Sequence, residues 1–190
     1  MKRPRQHPVK KTARSLYKAM KSFTSIDIEA LKIDPFEAIG QDWMLITAKK
    51  GDQVNTMTAS WGGMGVLWNR RAAFIFVKEA RFTKTFIDAA DHFSLCFFRK
   101  QYQDKLEYLG SVSGRDEDKI KNVGFTLCED QGVPFFLEAD TVLVCKKLSQ
   151  HPLLPEGFID SSILPTWYMD GCGYHSLYVG EIEKVLLESM

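Results

Sequence analysis

The sequence predicts a mainly β domain with a few short helices, closed as a barrel or a sandwich, and three observations predict it. Short apolar runs of strand length recur along the chain, as in DWMLITA (42–48), AAFIFV (72–77) and HFSLCFF (92–98). Glycine-bearing or charged turns separate them, and only three or four segments have helical spacing, all of them short. Strands and helices do not alternate as β-α units, which leaves antiparallel architectures.

Taken in order, residues 1–25 form a basic arm. Lys2, Arg3, Arg5, Lys10, Lys11, Arg14, Lys18 and Lys21 precede the first acid, Asp27. Ala13, Leu16, Tyr17, Met20 and Phe23 recur at helical spacing with lysines and arginines opposite, so the arm is expected to be partly helical, either docked on the body or on a second subunit or facing an anionic surface or partner. Residues 26–190 are expected to make one domain. Asp34-Pro35 marks a turn or helix start, and Gly40 a stop. After the strand at 42–48, Lys50-Gly51-Asp52 reads as a turn.

The stretch NTMTASWGGMGVLW (55–68) then combines hydroxyls and small residues with Trp61 and three glycines. Glycines weaken a strand, so they imply a bend or a close approach by something else, here a ligand. The strand at 72–77 follows, and RFTKTFIDAAD (81–91) reads as a helix with Thr83 as its N-cap. Beyond the strand at 92–98, Gln101 to Leu109 is helical by pattern and ends at Gly110. A polar loop, SVSGRDEDK, leads to a short helix ending near Gly124. Strands are expected at 141–148 and 174–186, with a proline-bearing loop from His151 to Trp167 between them.

Composition narrows the class. The 190 residues and 21.7 kDa suit one domain that needs no disulfide staples. No apolar run reaches the roughly 18–20 residues of a membrane span, and the N-terminus lacks a secretory pattern, so a cytoplasmic protein is expected. The four cysteines form no short-spaced pair, which argues against a structural metal site. Cys96 and Cys145 fall in apolar runs and are expected to be buried thiols, whereas Cys172 lies in a loop. Net charge is +1, but without the arm 17 basic residues face 24 acidic ones, leaving −7. So acidic a body argues against nucleic acid as a partner.

The common dinucleotide, P-loop, hydrolase and zinc-protease signatures are all absent. Arg81-Phe82-Thr83 places a guanidinium and a hydroxyl at a helix start, where free N–H groups favour an anion such as phosphate. Ser111, Ser113, Gly114 and Lys119 supply a second set of small donors and a cation before a helix. Read alone, the first set is equally an N-cap beside a solvated charge, and the second an ordinary turn. His175, at the start of the last strand, is either structural or catalytic. Gly180, within that strand, implies a bulge or a close approach.

Four segments in this order, TMTASW (56–61), Arg81-Phe82-Thr83, GSVSGRDEDK (110–119) and YHSLYVGEI (174–182), resemble the flavin reductase-like family of FMN-binding split barrels, in the branch that includes flavoredoxin. The resemblance covers about residues 26–188. It implies a Greek-key split β-barrel and a homodimer with FMN near the subunit interface. Thr58, Ala59, Ser60 and Trp61 would border the isoalloxazine, with Thr56 opening that segment as a further cofactor-binding candidate. Arg81 and Thr83 would bind the phosphate, and Ser113, Gly114 and Lys119 would enclose the phosphate and ribityl chain. His175 is the catalytic candidate, near the flavin or the incoming nicotinamide, within its own or the neighbouring subunit.

The implied activity is hydride transfer from NADH or NADPH to FMN, with electrons leaving to free flavin, an iron centre, a quinone or a protein partner. One alternative is an FMN-binding electron carrier or redox sensor with no NAD(P)H oxidase activity. Another is a split barrel whose pocket serves a haem or a deazaflavin.

Overall fold

Continuous apolar runs belong in strands covered on both faces, and the computed structural model, which describes residues 22–189, places them there. The strands are β1 (Phe23–Ile26), β2 (Met44–Lys50), β3 (Gln53–Ala59), β4 (Gly62–Leu67), β5 (Arg70–Lys78), β6 (His92–Phe97), β7 (Leu127–Asp130), β8 (Val133–Phe136), β9 (Thr141–Pro152) and β10 (His175–Glu188). Eight of them form one antiparallel sheet in the order β3-β2-β6-β9-β10-β5-β4, with β1 also paired to β10, while β7 and β8 make a separate hairpin. β10 pairs with β5 along its first half and with β1 along its end. This is the Greek-key split β-barrel, and with 43% strand against 24% helix the chain is mainly β.

Side chains alternate between two cores. Met44, Ile46, Phe93, Leu95, Leu143 and Cys145 pack with Ile75, Val77 and Tyr178. Their neighbours Leu45, Cys96, Val142 and Val144 face the opposite way. There they meet Leu106 and Leu109 of α3 (Gln103–Ser111), Ile120 of α4 (Lys119–Val123) and the Phe135-Phe136 pair of β8. The middle strands β2, β6 and β9 are therefore covered on both sides, which is why they read as unbroken apolar runs.

The other helices are α1 (Pro35–Gly40), α2 (Lys84–Ala89) and α5 (Ile163–Trp167). Two helix ends match their sequence signals. Asp34 caps α1 by accepting from Phe36 N at 2.9 Å, with Pro35 at the first position. Gly124 ends α4 in the left-handed conformation, φ +68°. Among the described residues no helix is long and apolar enough to cross a membrane.

Several expectations are corrected. Phe23 lies in β1, opposite Glu188, and its ring packs on Phe135 at 5.2 Å, so it does not continue a helix. The remainder of the arm, residues 1–21, lies outside the described residues. Thr83 has helical backbone angles and makes no side-chain cap; its hydroxyl is used elsewhere. Gly110 sits inside α3 rather than ending it, because a Cβ there would come within 3.1 Å of Thr58 Cβ.

β9 runs on to Pro152, four residues past Leu148. β6 pairs with β9 only as far as Lys146, so the end of β9 has one neighbour, and a proline without an N–H is tolerated on the free side. Pro165 lies in the first turn of α5, where the missing N–H has no intrahelical partner to lose. Gly180 does mark an irregularity, with a register shift at Val179/Gly180 and Phe93 pressed against it.

Candidate functional site

β3 is the terminal strand of the sheet, so half of its backbone donors and acceptors have no strand partner on the outer edge. Its final residues Thr58 and Ala59, followed by Ser60 and Trp61, form one wall of a cleft of about 620 Å³. Phe76 and Lys78 of β5, Trp167 of α5 and His175 of β10 form the others. A narrower cleft of about 300 Å³ is lined by Asn55, Thr83, Ser113, Gly114 and Lys119, among others. Met57, Ala80 and Arg81 line both, so the two clefts are continuous.

Three cations converge on the narrow cleft, each fixed through backbone carbonyls. Arg81 Nη1 donates to Gly110 O at 2.8 Å, and Arg115 Nη1 to Ala80 O at 3.2 Å. Lys119 is buried, and its Nζ donates to Leu109 O at 2.7 Å and Val112 O at 3.0 Å. The first and third hold the carboxyl end of α3, where the helix dipole favours positive charge. A guanidinium has five donors and an ammonium three, so each keeps some for a ligand. Burial, reinforced by the nearby Arg81 charge, pushes the Lys119 ammonium down to about 8. Arg115 also lies over the Phe82 ring, 4.9 Å from its centroid.

Thr83 and Asn55 form the floor. Both are buried, and Asn55 Nδ2 donates to Thr83 Oγ1 at 3.0 Å. Gly114 lies against the same amide: a Cβ would sit 2.4 Å from Asn55 Oδ1, so the loop approaches this closely only without a side chain. Ser113 Oγ accepts from Arg115 N at 3.2 Å and shapes that loop.

The wide cleft is aromatic on one side and cationic on the other. Trp61 meets Trp167 edge-to-face at 5.1 Å and lies 5.1 Å from the His175 ring. Lys78 Nζ bonds to Asp170 and, at 3.2 Å, to Trp167 O. His175 Nδ1 is 3.0 Å from the Tyr168 hydroxyl. Burial, with the Lys78 and Arg81 charges adding to it, lowers the pKa of His175, so the ring is neutral at physiological pH. Cys172 lines the same cleft and is exposed. Cys96 and Cys145 are buried thiols, with burial pushing Cys96 up to about 12.

The structure thus gathers Thr58, Ala59, Ser60, Trp61 and His175 around one cleft, and Thr83, Ser113, Gly114 and Lys119 around the other, with Arg81 at the junction. Thr58 contributes backbone more than hydroxyl, since its Oγ1 donates to Leu106 O. Thr56 stands apart. It shares the face of β3 that Thr58 presents, but it is fully buried, its hydroxyl is spent on Thr47 Oγ1 and Ile46 O, and it lines neither cleft.

Sequence reasoning missed Asn55, Lys78, Trp167 and Tyr168. Asn55, a polar residue at an inward position of a strand, is the one that the period-two pattern could have flagged. The chemistry on offer is recognition of an elongated ligand with a flat apolar part and an anionic end.

A family model described as the flavin reductase like domain matches residues 36–190. Similar solved structures include the FMN-binding domain of a flavin reductases-like enzyme from Shewanella baltica (16% identity, covering 88% of this chain and 78% of that one, TM-score 0.64). Flavoredoxin from Methanosarcina acetivorans is similar as well (22% identity, 82% and 75% covered, TM-score 0.60). So is an NADH:FAD oxidoreductase from Streptomyces globisporus, in complex with NAD and FAD fragments (16% identity, 76% and 73% covered, TM-score 0.57). No curated protein matches the sequence. At these identities the structures show the fold, and the family model, which spans most of the sequence, shows the family: the chain belongs to the flavin reductase-like domain family.

Proposed function

We propose that the chain binds FMN, with the ring system along Thr58–Trp61 and the phosphate at Arg81, and acts as a flavin reductase-type oxidoreductase. It takes hydride from NADH or NADPH and passes electrons to free flavin or another acceptor. The observation that carries this reading is the continuity of the two clefts at Met57, Ala80 and Arg81. That continuity suits a ligand flat and apolar at one end and anionic at the other.

The residues present fit FMN. The close approach of Gly114 to Asn55 makes a cradle that a single Cβ would fill, and Arg81, Arg115 and Lys119 supply positive charge around it. When bound, FMN supplies the redox chemistry, since its ring system accepts a hydride and releases electrons. The protein binds, orients and shields. Free backbone groups on the outer edge of β3 are available to polar ring atoms, and Trp61 and Trp167, packed edge-to-face and both exposed, offer apolar surface along one side of the cleft. Neutral His175 can donate or accept one hydrogen bond at the cleft wall.

The likeness to flavoredoxin favours a second reading, an FMN-binding electron carrier without NAD(P)H oxidase activity. Anaerobic stopped-flow mixing of the FMN-loaded protein with NADH and with NADPH separates the two. Rapid bleaching of the flavin absorbance supports the reductase, and a spectrum unchanged by either supports the carrier. Failure to take up FMN removes both. Val66 and Trp68, exposed at the far edge strand β4 and its turn, support the further proposal of a homodimer, which light scattering tests.

A further inference from the structure

Tyr168 lies between α5 and β10, outside every segment that the sequence singled out. Its hydroxyl is 3.0 Å from His175 Nδ1. Four neighbours hold its ring: Tyr174 stacked at 5.0 Å and 27°, Phe158 at 5.4 Å, His175 edge-on at 5.5 Å and Lys78 Nζ 5.5 Å from the ring centroid. On its other side, His175 leans on Trp61, whose ring centroid is 5.1 Å away. The imidazole is therefore clamped between a cleft wall and one phenol. Among the described residues no protein group bonds to its Nε2.

The charged and titratable groups around the imidazole come from three places. Lys78 is on β5, Glu79 and Arg81 on the turn after it, and Tyr168, Asp170, Cys172 and Tyr174 on the segment before β10. Lys78 and Arg81 disfavour an imidazolium, Asp170 favours one, and burial sides with the two cations. A neutral imidazole has a single proton to place. A phenol O–H is the better donor of the pair and an imidazole nitrogen the better acceptor, so an O–H···N bond at Nδ1 leaves the ring proton on Nε2.

We infer that Tyr168 is a positioning residue: its phenol donates to His175 Nδ1 and so presents His175 to the cleft as an Nε2–H donor. The acceptor it suits is a carbonyl oxygen of the second substrate, whether the carboxamide of a nicotinamide or the oxygen of a quinone. This rests on reading the wide cleft as the flavin site, but the bond itself can be tested without flavin.

Long-range proton–nitrogen spectra of the flavin-free, full-length protein read the tautomer directly, with His175→Gln assigning the resonances. The expected wild-type pattern near neutral pH is an unprotonated Nδ1 and a protonated Nε2. Tyr168→Phe keeps the ring packing and is expected to give a mixture of both tautomers. A wild-type Nδ1 that carries the proton, or a Tyr168→Phe spectrum identical to wild type, overturns the inference. In the FMN-loaded protein, Tyr168→Phe is expected to slow hydride transfer from NADH by about three- to tenfold, the range set by one hydrogen bond, with FMN affinity unchanged. An unchanged rate overturns the functional half. If the wild type takes up no FMN, the proposed function fails, and the tautomer measurement still decides the role of Tyr168.

Discussion

Asn55 on β3 donates to Thr83 at the head of α2, 3.0 Å from Nδ2 to Oγ1, and this buried bond ties the edge strand of the sheet to the narrow end of the candidate site. Gly114 rests on the opposite side of the same amide. One side chain thus holds together three segments that are distant in sequence.

Removing that side chain exposes its role. Asn55→Ala is expected to destabilise the fold by about 1–3 kcal/mol, the usual result of breaking a buried hydrogen bond and leaving its partner unpaired. Urea unfolding of the flavin-free protein measures it. Gly114→Ala pushes on the same amide from outside and is expected to weaken FMN binding.

Arg81 separates phosphate recognition from ring recognition. Losing a charge-assisted hydrogen bond of about 1.5–3 kcal/mol makes Arg81→Ala bind FMN roughly 10- to 100-fold more weakly. Riboflavin, which has no phosphate, is expected to bind both proteins alike. Fluorescence titration with the two flavins checks this, and equal losses for both would place the phosphate elsewhere.

Lys119 gives the site a pH dependence with a defined sign. Burial first, and then Arg81, hold it at about 8 in the folded chain, against 10.5 for the free side chain. Between those values the unfolded chain binds more protons, so stability rises with pH through that window and is flat below it. A phosphate favours the charged form, so FMN affinity is expected to fall above about pH 8, by at most about tenfold per pH unit. Lys119→Met is expected to abolish both slopes, in denaturant unfolding and in FMN titration.

Gly180 makes a prediction about the barrel alone. A Cβ there would sit 2.6 Å from Phe93 Cζ and 3.1 Å from Cys145 Cβ, both belonging to fully buried residues. Gly180→Ala is expected to cost about 1–3 kcal/mol by overpacking, measured by denaturant unfolding, and to leave FMN affinity unchanged.

The strands whose two faces are both buried were legible because their apolar runs are continuous and bounded by charge. Arg81, Ser113 and His175 stood out as donors and cations beside turns. The β7–β8 hairpin was not legible. Its strands are four residues each, and its turn puts Gln131 as well as Gly132 at positive φ, where local pattern marks only the glycine. The β4–β5 turn hides likewise behind Trp68 and Asn69, both left-handed. Lys78, Trp167 and Tyr168 escaped notice because their roles arise from one another, across the gap between β5 and the segment before β10. Thr56 was drawn in by proximity in sequence, although it is fully buried and its hydroxyl is bonded to Thr47 and to the Ile46 carbonyl.

The most direct test of the account is a titration of the flavin-free protein with FMN and, separately, with riboflavin, followed by flavin fluorescence. The account expects both to bind and FMN to bind at least about tenfold more tightly, the contribution of one charge-assisted contact or more. No uptake of FMN, or equal affinity for the two flavins, would contradict it.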